Sequence, residues 1–163
     1  MTALEVLKTR RSVRAYDQKP ISREVLMDIV DCARLAPTAM NEQPWEFVVV
    51  TDAEMRQKIA QTIGHAPFIT EVPACIAVIG RQTEYWIEDC SAATQNILLA
   101  AKAHGLGSCW IAGEKQPYAD AVRDLLGGKP AQKFFALVTL GHATERPLKE
   151  KRKLENVMHW EKL

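Results

Sequence analysis

Two continuous apolar runs, ACIAVIG over 74–80 and FFALVTLG over 134–141, constrain the fold of this chain more than any other feature. A strand with one wet face alternates apolar and polar residues, and these runs leave nothing to offer water. Both read as strands, the second one buried, and both are far too short to span a bilayer as helices. The segments around them carry helical spacing. Residues 3–9 predict a short helix, and ISREVLMDIVDCARLA over 21–36 predicts a longer one with Ser22 as its N-cap and Pro37 as its stop. WEFVVV over 45–50 reads as a strand, and Asp52 is placed to cap a helix running to about Ile63. The clearest helical segment is EDCSAATQNILLAAKAHG, 88–105, followed by the strand LGSCWIAG, 106–113, and a helix near 117–126 that ends at Gly127 and Gly128. Helices and strands alternate, so periodicity alone predicts an α/β protein with a parallel sheet.

Residues 10–16, RRSVRAY, set three arginines into a stretch that would suit a strand. Strand geometry would put Arg10, Ser12 and Arg14 on one face and Arg11, Val13 and Ala15 on the other. Guanidinium forks flanking a hydroxyl suit a phosphate or a planar, carbonyl-rich ring. Charge that blunts an exposed sheet edge is the alternative reading. The chain as a whole is nearly neutral: 21 Lys and Arg face 20 Asp and Glu, so a basic site must be local, and no general affinity for nucleic acid or membranes is expected. The N-terminus mixes charges into a helical period, unlike a secretory signal, which points to the cytoplasm. Length and core fit a single domain over 1–163. Cys32, Cys75, Cys90 and Cys109 are dispersed, with neither disulfide nor zinc spacing, so no metal is expected. The last stretch, 147–163, is charged but carries Val157, Trp160 and Leu163, which suits an arm that packs on something.

Taken in order, TRRSVRAYDQKPI, ARLAPTAMNEQPWEFVVVTD, EDCSAATQNILLAAKAHGLGSCWIAG and LGHATERPLKEKRKLENVMHWEKL resemble the FMN-dependent nitroreductase family in its short, single-domain form. The resemblance covers most of the chain. It implies an α+β fold with a central, largely antiparallel sheet between helices, in place of the parallel one. It further implies an intertwined homodimer holding FMN at its interface, with the C-terminal arm, about 147–163, reaching over the partner subunit. Arg10, Arg11, Ser12 and Arg14 match the family's first flavin-binding segment. By that match, Arg14 would stabilise negative charge on the reduced ring, while Arg10 and Ser12, joined by Lys151 and Arg152 from the tail, would contact phosphate and ribityl oxygens. Pro37, Thr38, Ala39 and Asn41 match the loop that meets the flavin from the second subunit. Trp110, Ile111, Ala112 and Gly113 match the stretch against the ring, whose backbone near Ile111–Gly113 directs an N–H at flavin N5. Ala112 stands where some relatives carry an acidic residue.

The implied reaction is a ping-pong transfer of hydride from NAD(P)H through the flavin to a nitroaromatic, quinone or similar small acceptor. No GxGxxG follows a strand, so no separate Rossmann site for the nicotinamide is expected. Tyr85 and Trp86 are candidates for a substrate-stacking lid, or else anchors at a helix start. Gln95 and Asn96 read as helix-packing polar groups, and Trp45 suits the core. Two other readings are an FMN carrier or redox sensor without efficient turnover, and a nucleic-acid contact through KEKRK in the tail.

Overall fold

The computed structural model describes residues 1–163. The elements run α1 (Ala3–Thr9), β1 (Tyr16–Asp17), α2 (Arg23–Arg34), β2 (Trp45–Val50), α3 (Ala53–Ile63), β3 (Ala74–Arg81), α4 (Trp86–Ala103), β4 (Gly107–Ala112), α5 (Ala119–Leu125) and β5 (Gln132–Ala143), with single 3₁₀ turns at Ala39–Asn41, Pro67–Thr70 and Leu154–Asn156. Caps explain most helix starts. Thr2 and Glu5 form a capping box on α1, while Ser22 and Asp52 accept the N–H groups of Val25 and Met55 at the starts of α2 and α3.

The sheet centres on β3 and β5. β2 lies outside β3, and the long β5 also carries β4 along half of its length and β1 at its end. Every ladder is antiparallel, against the parallel sheet that periodicity predicted. The reason lies in 64–73. α3 carries the chain away from the end of β2, and the irregular return through Pro67–Thr70 brings it back, so that β3 starts opposite that end with Val50 paired to Cys75. A helix between strands fixes their spacing but not their direction.

The two apolar runs are buried on both faces because a layer covers each side. α2 and α4 pack on one face around Ile29, Ala93, Ile97 and Val138, and α3 and α5 on the other around Ile59, Ile69, Val122 and Leu137. The 3–9 helix, both capped starts and the 45–50 strand stand where the sequence placed them. Trp45 is core. Residues 10–15 are not a strand: they hold one parallel bridge, Ser12 to Ser108, and the ladder begins only at Tyr16. No helix is long and apolar enough to cross a membrane, and no group of three or more His, Cys, Asp or Glu is placed to hold a metal.

Candidate functional site

The arginine segment leaves α1 and lies along the start of β4. Val13 donates its N–H to the Ser108 carbonyl at 2.9 Å. One carboxylate oxygen of Glu145, just beyond β5, accepts the N–H groups of Arg14 at 2.6 Å and Ala15 at 3.2 Å. The buried Tyr16 hydroxyl donates to the Val13 carbonyl and shares a hydrogen bond with Thr139; burial pushes this phenol well above its ordinary range. The segment is therefore extended without being a strand, because side chains and single bonds fix it where a ladder would otherwise do so.

A cleft of about 570 Å³ opens where this segment meets the C-terminal end of α4 and the chain after β5. Lys8, Arg10, Arg11, Lys102 and Arg146 stand around it, and Glu145 is the one carboxylate in its lining. Arg10 and Arg11 face it together, against the strand alternation that would separate them. Arg11 is also committed locally, donating to the carbonyls of Lys8 at 2.9 Å and Arg10 at 2.8 Å. Ser12 and Arg14 do not line the cleft, and Arg14 is exposed. Lys151 and Arg152 lie in a tail whose residues 148–163 are all exposed, and Arg152 bonds the Asn156 carbonyl of that same tail. A single chain does not bring the two to the cleft.

β4 runs from the cleft to the other end of the site. Gly113 gives its N–H to the Phe135 carbonyl at 2.8 Å, and a Cβ on it would fall 2.6 Å from the Phe134 ring. This glycine admits Phe134, and its donor is already used. Antiparallel pairs alternate between bonded and open. With Gly113 bonded to β5, Ile111 is bonded as well, and the N–H of Ala112 points to the open edge of the strand. Tyr118 donates to the Ala112 carbonyl at 2.6 Å and steadies that end. Of the three backbone donors read together from the sequence, Ala112 has the free one. Trp110 is half-buried with its ring 5.7 Å from Phe135.

Pro37 to Gln43 form a second, separate unit near the N-terminal end of α4. Met40, Asn41 and Gln43 have left-handed backbone, φ 52°, 56° and 45°, a conformation that costs on the order of 1 kcal/mol for each non-glycine residue. Ala39 donates its N–H to Asp89 Oδ1 at 3.0 Å, and Arg81 donates to the Glu42 carbonyl at 3.1 Å. Gln43 Nε2 donates to Asn41 Oδ1 at 3.1 Å, which orients the Asn41 amide and leaves its NH₂ to donate. Sequence reasoning missed Asp89, Arg81 and Glu145. Each acts on a segment at least 39 positions away, and no local pattern marks such a bond.

Trp86 is a correction to the lid expectation. It is 6% exposed, its ring packs edge-on against Phe135 at 6.0 Å, and a Cβ on Gly80 would lie 2.8 Å from it. It is an anchor of α4 in the core. Tyr85, immediately before α4, is exposed. Asn96 donates to the Cys32 carbonyl at 2.9 Å and joins α4 to α2, as a packing group should.

Known proteins share this fold. An Archaeoglobus fulgidus protein provisionally named as an NADH dehydrogenase/NAD(P)H nitroreductase is 40% identical over 146 residues, 85% of this chain and 84% of its own. A crystal structure from Bacteroides thetaiotaomicron with the same provisional name superposes with a TM-score of 0.93 at 30% identity, over 99% of this chain and 98% of that one. A Clostridium difficile structure described as an FMN-dependent nitroreductase superposes with a TM-score of 0.90 at 29% identity, over 98% and 99% of the two chains. The nitroreductase family model matches residues 7–78 and 63–142, and with the antiparallel sheet between helices this establishes that the chain belongs to the nitroreductase family.

Proposed function

We propose that this protein is an FMN-dependent oxidoreductase that works as a homodimer and oxidises NAD(P)H at the expense of a nitroaromatic, quinone or similar small acceptor. One observation carries the reading: the cationic segment and the free N–H of Ala112 sit at opposite ends of one strand. Ser108 and Ala112 are four residues apart, about 13 Å along β4, a span that phosphate, ribityl chain and ring can bridge. The donor set fits the cofactor. Five cations gather at the cleft end, and a main-chain donor on an open edge stands at the other.

When bound, FMN would supply the redox chemistry, taking hydride at N5 and passing the electrons to the acceptor in a ping-pong cycle. The residues of the chain hold and bias it. Arg10, with Ser12 beside it, would take phosphate and ribityl oxygens. The exposed guanidinium of Arg14 is free to meet negative charge on the ring, which is the way a protein raises a flavin's affinity for electrons. Ala112 would give its N–H to N5, and Trp110, Ile111 and Gly113 shape the strand end that presents it.

The loop Pro37–Asn41 supports the dimer. Its tether, Asp89, and the cleft residue Lys102 are about 20 Å apart along α4, so the loop is better placed to serve a cofactor held by the other subunit. An exposed arm carrying Leu154, Val157, Trp160 and Leu163 suits the same assembly, where it would bring Lys151 and Arg152 to the phosphate. Tyr85 remains the candidate for stacking on a planar acceptor. A near-neutral surface, with no span for a membrane, suits a cytoplasmic enzyme that binds neither nucleic acid nor lipid. Steady oxidation of NADH or NADPH by the FMN-loaded protein with a nitroaromatic or quinone tests the proposal. Bound FMN without turnover would make it a carrier or sensor instead.

A further inference from the structure

We propose that Asp89 is a positioning residue for the loop that contacts the flavin, holding the left-handed turn of residues 39–43 through the N–H of Ala39. This rests on the flavin reading above. Three of the five non-glycine residues with left-handed backbone in the whole chain fall between Met40 and Gln43. Backbone of this kind persists only where its surroundings hold it. Two side chains outside the loop do so, Asp89 at Ala39 and Arg81 at the Glu42 carbonyl, and of these Arg81 is exposed.

Asp89 is unusual in its own helix. It is 4% exposed, and its side chain makes no bond to α4 although it lies in the first turn, where the helix end favours an anion. Its one bond crosses to Ala39. The second carboxylate oxygen, Oδ2, is buried with no partner at all. Burying a carboxylate with half its acceptors idle is unfavourable, and a neutral residue would fill the same helical position without that penalty. What the carboxylate adds is a charge-assisted bond to a single main-chain N–H, which is stronger and more directional than a neutral one. That bond sets where the 3₁₀ turn begins, and therefore where Asn41, oriented by Gln43, presents its amide.

The test uses the whole dimeric protein, with FMN affinity measured by fluorescence titration and the flavin midpoint potential by anaerobic redox titration. Asp89→Ala should weaken FMN binding about tenfold or more and lower the potential. Asp89→Asn keeps an oxygen for the Ala39 N–H but loses the charge, and should restore part of both. Ala39→Pro removes the N–H from the other side. Position 39 opens the 3₁₀ turn and follows an extended residue, Thr38 at φ −132° and ψ 149°, a setting in which proline is tolerated, and combining it with Asp89→Ala clears the carboxylate from the space the ring takes. In the Asp89→Ala background Ala39→Pro should add nothing further. Wild-type protein that takes up no FMN would overturn the flavin reading and the loop's role with it. Wild type that binds FMN, with Ala39→Pro or Asp89→Ala binding as tightly at an unchanged potential, would overturn the role of Asp89 alone.

Discussion

Segment 10–15 is tied down by a main-chain bond to Ser108, by the Glu145 carboxylate on two of its N–H groups and by the buried Tyr16 hydroxyl, whereas loop 38–43 is held from outside by two side chains over a left-handed backbone. The first is part of the folded body; the second is strained and clamped. The difference follows from what each would contact. A phosphate needs charge delivered to a fixed place, and a segment fused to the sheet provides it. The edge of a flavin ring needs a few donors at set angles, and a turn held in an uncommon conformation presents them without reorganising. Disrupting the first segment should therefore cost global stability, and disrupting the second should cost cofactor binding.

Alkali should act on the body first and most strongly. Burial raises the thiols of Cys75 and Cys90 from their ordinary 9.0 to about 12, so the unfolded chain gives up these protons before the folded one does. Stability is then intact below about pH 9 and falls as the pH climbs toward 12, by roughly 1.4 kcal/mol per pH unit for each thiol. Denaturant midpoints between pH 8 and 11 would show this, and a flat profile would contradict it. Glu145→Ala frees two N–H groups of the arginine segment and should cost about 2–3 kcal/mol in urea unfolding of the FMN-free protein. Arg14→Ala touches the same segment from its exposed side and should leave unfolding unchanged, while FMN affinity drops about tenfold and the potential falls. Asn41→Gly should have the smallest effect and the opposite sign: relief of one left-handed residue stabilises the apoprotein by about 1 kcal/mol, and FMN binds less tightly. Loss of apoprotein stability in Asn41→Gly would erase the contrast between the two regions.

Much of the frame is legible locally. Ser22 and Asp52 start their helices through bonds to residues three positions on, Pro37 follows closely on the end of α2, and the runs at 74–80 and 134–141 announce burial by composition alone. Strand direction is not legible that way, because it depends on the return through 64–73, which has no periodic pattern. The arginine motif was legible as charge but not as geometry. Its bonds come from Ser108 and Glu145, so it is neither a strand nor free to alternate. Trp86 shows the limit from the other side: an aromatic at a helix start looks like a lid until Gly80 and Phe135 are seen to enclose it. Resemblance to the family supplied the antiparallel sheet, and the separation of Ala112 from its bonded neighbours needed the register of β4 on β5.

The most direct test of the account is an absorption spectrum of the purified protein with FMN, followed anaerobically after adding NADH and NADPH in separate cuvettes. A bound flavin spectrum that bleaches with at least one of the two is the expected result. A protein that takes up no FMN, or one whose bound flavin neither donor reduces, would contradict it.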